Sequence, residues 1–391
     1  MIKSIIKNAI FILAIVVFAI ICPNCKTFAK ATNIAENNLQ FNAKAVYLID
    51  AHTGTFVYGK NELDKLPIAS MTKLATLSVV FNQINSGALS ADDIVTVSQN
   101  AASTEGSSAF LDAGSKYSVE SLIKTIVVVS ANDSCVALAE HICGSEKLFA
   151  NKMNELIDKL KLKNSHFENA TGLPSDNHYS CAHDMAKIYI TICNNPMYQK
   201  FAKIWMEDFI HPSGRITGLV NTNRLIKTYD GCTGGKTGHT NEAKYCLTAS
   251  ATRNGTSLVA VVIGAENSKS RFEQTQNLFD YGFANFASVQ VVDRNVCLAQ
   301  VDITGAKEKS VEVYAKEDYM AFTKKDSGNK YKTHIVVNEN LSAPFVANDC
   351  VGKVLILDQN NIVVDEIDLI VKVDVEKIKY KEILKEIFTN W

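Results

Sequence analysis

Ser70 and Lys73 stand three residues apart in Ser70-Met71-Thr72-Lys73, and the same chain then presents Ser130-Ala131-Asn132 and Lys236-Thr237-Gly238 in that order. Together they supply a hydroxyl nucleophile, an amine able to take its proton, a second hydroxyl, a carboxamide and a second ammonium. That set can attack an acyl carbonyl while holding an anionic substrate, so the chain reads as an acyl-transfer enzyme. Each string alone is weak, because S-x-x-K recurs at Ser4/Lys7, Ser121/Lys124 and Ser327/Lys330, and S-x-N at Ser98, Ser175 and Ser327. Context selects among the copies. The run Leu74–Phe81 after Lys73 is apolar on nearly every side and lacks Gly and Pro, which predicts a buried helix opened by Ser70. At a helix start the unpaired amides and the dipole favour developing negative charge, and the three-residue spacing puts Lys73 on the same face as Ser70.

For Lys73 to act as the base it must be neutral, which requires burial and, by expectation, the nearby like charge of Lys236 to lower its pKa. Ser130 follows the apolar Ile126–Val129 and is expected at the end of a buried segment, where its hydroxyl relays a proton to the leaving amine. Asn132 both donates and accepts, which suits holding Lys73 and a substrate amide. Lys236 and Thr237 suit a substrate carboxylate, and Gly238 lets a substrate backbone come close to its strand.

The elements that must position these residues follow from periodicity. Ala45–Asp50 and Thr55–Tyr58 flank His52-Thr53-Gly54 as a hairpin, helices are expected over 118–129, 133–143, 146–160 and 182–193, and strands return at 245–251 and 257–265 before a helix over 270–283. Strand sets at both ends of a helical middle predict an α+β fold with one antiparallel sheet and helices packed against it. Short alternating runs at 311–315, 333–337, 354–357 and 362–370 then predict a small all-β domain. The boundaries read as residues 1–31 leader, 35–286 catalytic domain, 289–374 β-rich domain and 376–391 a C-terminal amphipathic helix. In that helix Tyr380, Ile383, Leu384, Ile387, Phe388 and Trp391 share a face, which suits either a membrane surface or the chain's own β domain.

The three strings in this order and spacing resemble the serine D-alanyl-D-alanine carboxypeptidases, the low-molecular-mass penicillin-binding proteins. Asn169-Ala-Thr-Gly-Leu-Pro174 with His178-Tyr-Ser180 and Asp184-Met-Ala186, Asn221-Thr-Asn-Arg-Leu225, and Gly235-Lys-Thr-Gly-His-Thr240 extend the resemblance over about residues 40–375. It implies a β-lactamase/transpeptidase-like domain, an antiparallel sheet between helical layers with a helical subdomain, followed by the small β domain. It also implies a catalytic set of Ser70, Lys73 and Ser130. Substrate binding would fall to Asn132, Lys236, Thr237, Gly238, His239 and Arg271, with the amides of Ser70 and His239 as oxyanion hole and Arg271 adding charge for the carboxylate. The implied substrate is a peptidoglycan stem peptide ending in D-Ala-D-Ala, with β-lactams as covalent inhibitors and the C-terminal helix as a membrane anchor. His183 departs from the family's usual residue, and Cys135 and Cys232 have no assigned role. A β-lactamase is the competing reading, although Glu168-Asn169 lacks E-x-x-L-N surroundings; a non-catalytic wall-binding protein is the third.

Composition bounds the rest. With 391 residues, 47% hydrophobic, the chain can bury a large core. Net charge is −1, and residues 1–31 hold four lysines and no acid, so nucleic acid is not an expected partner. The basic start, the apolar run Ala9–Ile21 and the small residues Ala29 and Ala31 read as an export signal, placing the protein on the extracytoplasmic face of the membrane or in the wall. The eight later cysteines show no C-x-x-C spacing and are expected as buried free thiols; no cofactor or metal is expected, since no histidine pairs with a cysteine at ligand spacing.

Overall fold

The computed structural model describes residues 39–327 and 331–381. The leader at 1–31 and the C-terminal segment from 382 onward lie outside the described residues. Strands β1 (Ala45–Asp50) and β2 (Phe56–Lys60) form the expected hairpin. A short pair follows, β3 (Ile94–Thr96) with β4 (Lys116–Ser118), then β5 (Met206–Ile210) with β6 (Ile216–Val220). The main sheet is completed by β7 (Cys232–Thr240), β8 (Lys244–Arg253) and β9 (Thr256–Ala265), in the order β2-β1-β9-β8-β7, with every pair antiparallel.

Both faces of this sheet are covered, and alternation decides which residue goes where. Tyr47, Ile49, Val259, Val261 and Ile263 face a core shared with the Lys73–Asn85, Val119–Val129, Asn132–Cys143 and Ala182–Cys193 helices. The opposite face carries Leu48 and Leu258, against which Gly282 of the Ser268–Asn285 helix packs so closely that a Cβ there would lie 2.5 Å from a Leu258 methyl. The sheet is therefore sandwiched between helical layers, and β7 is its open edge.

Directly after the Ser268–Asn285 helix, β10 (Phe286–Val292) begins. The chain continues through β11 (Cys297–Asp302), β12 (Ser310–Ala315), β13 (Tyr319–Lys324), β14 (Lys332–Val337), β15 (Cys350–Leu357) and β16 (Val363–Val371). β11-β12-β16-β15-β14 form a five-stranded sheet, and β10 pairs with β13. This all-β part has its own core around Val313, Val351, Val354, Ile356, Leu369 and Val371. The Phe286 and Phe322 rings stack at 5.3 Å beside it.

Two expectations need correction here. Residues 375–378 are not helical: Val375 pairs with Phe345, Lys377 with Ala306, and Ile378 N–H donates to the Gly305 carbonyl, so backbone pairing with the β domain overrides the helical pattern until Tyr380. The eight later cysteines are all free, but only Cys135, Cys181, Cys193 and Cys246 are buried: Cys143 and Cys232 are partly exposed, and Cys297 and Cys350 are exposed because each starts a strand at the margin of its sheet. Among the described residues no helix is long and apolar enough to cross a membrane.

Candidate active site

Ser70 lies not at the first residue of the long helix but in the tight 3-10 turn Ala69–Thr72 that precedes it. The cause is Ala69, which takes φ +49 in the left-handed region, an uncommon conformation for a residue with a Cβ. The bend lifts Ser70 to a half-exposed position while Lys73, the first helical residue, points into the core and is fully buried. Two close approaches hold the bend. A Cβ on Gly238 would lie 2.5 Å from the Ile68 carbonyl, and one on Gly172, at φ +83, would lie 2.0 Å from the Ala69 carbonyl. Gly238 is thus needed by the packing of β7 against the turn that carries Ser70, a different reason from the approach of a substrate backbone.

Lys73 Nζ lies 2.8 Å from Ser70 Oγ and donates at 2.6 Å to the carbonyl of Thr171. Burial lowers its pKa to about 8, against the opposing pull of Cys135, Asp133 and Glu146. The like-charge repulsion expected on Lys73 falls instead on Lys236, which is also fully buried: burial first, then the Lys73 and Arg271 charges, hold it well below the usual lysine value. Two desolvated amines within electrostatic reach of one another form a site that resists full protonation and favours an arriving anion.

Ser130 caps the Val119–Val129 helix at φ 66, ψ 35, and its Oγ, though buried, has no hydrogen-bond partner. Asn132 begins the next helix. Its Nδ2 donates to the Glu105 carbonyl at 2.5 Å and its buried Oδ1 has no partner, so the expected hold on Lys73 is not made. The amide is committed to the 105–106 loop, while its acceptor oxygen stays free. One turn on from Asn132, Cys135 is fully buried and interacts electrostatically with both Lys73 and Lys236, which sets this helix against the two amines; its thiol is pushed up to about 12 by burial.

On β7, Lys236 Nζ donates to the Thr237 carbonyl at 2.9 Å, and Thr237 Oγ1 donates to Thr222 Oγ1 at 2.8 Å. Thr222 N–H in turn donates to the Val128 carbonyl, so the loop at 221–223 ties the strand to the helix that ends at Ser130. His239 is exposed, with its ring 4.2 Å from that of Tyr245. Arg271 is only 8% exposed, its guanidinium donating to the Gly238 carbonyl at 3.2 Å and to Ser268 Oγ at 3.4 Å while Nε stays unpartnered. It is not a surface arginine.

Several contributors were not singled out from sequence. Asp133 is buried and organises the approach to Asn132, accepting from Ser108 Oγ at 2.6 Å, Leu111 N–H at 3.0 Å and Ala109 N–H at 3.1 Å. His178 Nδ1 accepts from Glu168 N–H at 3.2 Å, which leaves the ring proton on Nε2 to donate to Thr72 Oγ1 at 2.7 Å. This fastens the loop carrying the Thr171 carbonyl to the turn carrying Ser70. Adjacency of Asp133 to Asn132 was the only available signal for the first, and for the second the Asn169–Pro174 and His178–Ser180 strings. The rival strings are spent elsewhere: Ser98 caps Gln99–Ala102, Lys124 pairs with Glu207 at 2.7 Å, and Ser175 bonds Glu168. Cys181, His183 and Asp184 bring potential ligand atoms within 4.8 Å of one another, contrary to the expectation that no histidine pairs with a cysteine at ligand spacing. His183 Nδ1 there already bonds Asp184 Oδ1 at 2.8 Å.

Residues 31–267 match the family model described as D-alanyl-D-alanine carboxypeptidase, and residues 286–377 match that of the penicillin-binding protein 5 C-terminal domain. The chain is similar to the D-alanyl-D-alanine carboxypeptidase DacF of Bacillus subtilis, 36% identical over 365 residues that cover 93% of this chain and 94% of the relative. Among solved structures, penicillin-binding protein 5 from Haemophilus influenzae is 31% identical with a TM-score of 0.68, over 87% of this chain and 99% of that one. The D-alanyl-D-alanine carboxypeptidase DacD from Francisella tularensis is 28% identical with a TM-score of 0.67, over 89% of this chain and 97% of that one.

Proposed function

Since the chain belongs to the D-alanyl-D-alanine carboxypeptidase family of serine peptidases, we propose that it removes the terminal D-alanine from peptidoglycan stem pentapeptides through an acyl-enzyme on Ser70, and that β-lactams acylate the same hydroxyl. The observation that carries this reading is the 2.8 Å contact between Lys73 Nζ and Ser70 Oγ inside a site that lowers the amine to about 8.

Neutral Lys73 donates one N–H to the Thr171 carbonyl, which turns its lone pair toward Ser70 Oγ–H. Ser70 Oγ attacks the penultimate carbonyl carbon as its proton passes to Lys73. The oxyanion is held by the backbone amides of Ser70 and His239. Ser130, with its hydroxyl unengaged, relays the proton that Lys73 took from Ser70 to the departing amine, which restores both groups as free D-alanine leaves. Water then attacks the ester and releases the shortened peptide. Asn132 Oδ1 accepts the substrate amide N–H. Lys236 and Thr237 bind the terminal carboxylate, supported by the charge of Arg271, which also anchors β7 through Gly238.

The leader at 1–31 is read as an export signal, which places this activity on the extracytoplasmic side, where its substrate lies, and the segment beyond Lys381 as an amphipathic membrane contact. The catalytic part is read as residues 35–286 and the β-rich part as 289–374. D-alanine release from a stem pentapeptide by the wild type and by Ser70→Ala tests the proposal: release by the first and none by the second supports it, and equal release by both removes Ser70 as the nucleophile.

A further inference from the structure

The start of the Ala182–Cys193 helix carries three donor side chains that the proposed reaction does not use. Cys181, His183 and Asp184 bring a sulfur, a ring nitrogen and a carboxylate oxygen within 4.8 Å of one another. Cys181 and Asp184 are buried, while the side chain of His183, the residue at which the chain departs from its family's pattern, is 31% exposed. Each donor is held from behind by a separate contact. Asp184 Oδ2 accepts from Asn164 N–H and from Ser165 Oγ, both at 2.9 Å, which leaves Oδ1 facing His183 Nδ1 at 2.8 Å. His183 N–H donates to the Glu62 carbonyl at 3.0 Å, and its ring packs edge-on against Tyr47 at 5.5 Å. Cys181 Sγ caps the helix by accepting Asp184 N–H at 3.4 Å.

A sulfur, an imidazole and a carboxylate together match a borderline-soft cation; calcium and magnesium take oxygen ligands. Tetrahedral zinc holds such donors about 3.3–3.6 Å apart, from bonds of about 2.0–2.3 Å, so closing the cluster takes about an ångström of movement. His183, the partly exposed member, is the side chain with room to make it. Charge balances as well. One thiolate and one carboxylate neutralise a divalent ion, so the buried cluster gains no net charge when it fills.

We propose that Cys181, His183 and Asp184 bind one Zn2+ ion, with water in the fourth position on the open His183 side. The ion displaces the Cys181 thiol proton to solvent, and the imidazole ligates through Nδ1 with its proton carried on Nε2. Asp184 Oδ1 exchanges its bond to His183 for one to the metal, while Oδ2 keeps the two donors that orient the carboxylate. The role is structural. Ser180, next to Cys181, pairs with Leu66 through backbone bonds of 2.8 and 3.0 Å, so the ion clamps the helix start to the segment that leads through Pro67 into the turn carrying Ser70. This site is independent of the carboxypeptidase reading.

The test titrates the reduced, chelator-stripped full chain with Zn2+ alone, followed by native mass spectrometry, and with Co2+ alone, followed by absorption. Cys22→Ser/Cys25→Ser/Cys297→Ser/Cys350→Ser, which removes the leader's two thiols and the two exposed ones, should still bind one Zn2+ and show a thiolate-to-cobalt charge-transfer band. Adding Cys181→Ser, whose hydroxyl still caps the helix, should abolish the band and weaken Zn2+ binding by about 100-fold or more, beyond the cost of losing a supporting hydrogen bond. His183→Gln should weaken Zn2+ to a similar extent with the metal-free melting temperature unchanged. No Zn2+ bound once those four thiols are gone, or binding that persists in Cys181→Ser and His183→Gln, overturns the assignment.

Discussion

Lys73 Nζ makes two contacts, one with Ser70 Oγ at 2.8 Å and one to the Thr171 carbonyl at 2.6 Å, and the second fixes the direction of the first. An amine with a single partner would rotate; one pinned to a carbonyl across 98 residues of sequence presents its remaining positions to the serine. The chemistry of the site therefore depends on the loop that carries Thr171 as much as on the S-x-x-K turn.

Acylation should follow the neutral form of Lys73. The second-order rate of benzylpenicillin acylation is expected to rise with pH through about 8, the value to which burial lowers the amine, and to level off above it. Lys73→Arg, which stays protonated throughout, should lose at least 100-fold at every pH. A flat profile between pH 6 and 9 in the wild type would contradict this role.

The same burial costs stability. The fall from 10.5 to about 8 corresponds to roughly 3 kcal/mol against the folded state at neutral pH. With the folded value below the unfolded one, that cost is fully present below pH 8 and disappears as pH rises toward 10.5. Lys73→Met should accordingly be inactive yet have a higher urea midpoint than wild type at pH 7, by about 1–3 kcal/mol in unfolding free energy, with the advantage shrinking by pH 10. Equal midpoints at pH 7 would mean the lysine is better solvated than its burial indicates.

Ser130 offers a clean separation of stability from activity. Its hydroxyl makes no bond and its backbone is left-handed at φ 66. Ser130→Gly should be as stable as wild type or up to about 1 kcal/mol more stable, and slower in D-alanine release by about 100-fold or more. Thermal melts and steady-state kinetics on one preparation decide it.

His178 should shape the acid limb of stability. Burial holds it down at about 4 from the usual 6.5, so its neutral form stabilises the fold in full above pH 6.5, and that contribution drains as pH falls toward 4. His178→Gln, which cannot titrate, should show a shallower loss of unfolding free energy between pH 6.5 and 4. A variant curve parallel to wild type across that window would show that other groups control it.

Gly172→Ala probes the loop directly. A Cβ 2.0 Å from the Ala69 carbonyl forces the loop or the nucleophile turn to move. Activity should fall more than 100-fold with a lower melting temperature, and Gly87→Ala, which also has positive φ but open space around it, should lose stability without comparable loss of rate.

Periodicity was informative where burial is complete on both faces or on one helical stripe. β1, with six buried residues in a row, and the Val119–Val129 helix, with seven buried residues, were legible for that reason. The β5–β6 hairpin was not: only Phe209 and Leu219 are buried in it, so it leaves almost no alternation. The S-x-x-K, S-x-N and K-T-G strings located the candidate site, but local sequence misplaced Ser70 as a helix opener because Ala69 gives no sign of its left-handed bend. Asn132 reads as a partner of Lys73 because its carboxamide both donates and accepts, whereas its amide is taken by a carbonyl 27 residues earlier. Arg271 could not be told from a surface residue until the Gly238 carbonyl and the Phe272 ring, 4.8 Å from its guanidinium carbon, were seen around it. Long-range backbone acceptors leave no trace in a side-chain pattern.

Peptide-mapping mass spectrometry of the protein after reaction with benzylpenicillin is the most direct measurement. The mass of one penicilloyl group on the peptide containing Ser70, formed faster at pH 9 than at pH 6 and absent in Ser70→Ala, is the predicted result. An adduct on any other residue, or formation at Ser70 that persists unchanged in Lys73→Met, would contradict the account.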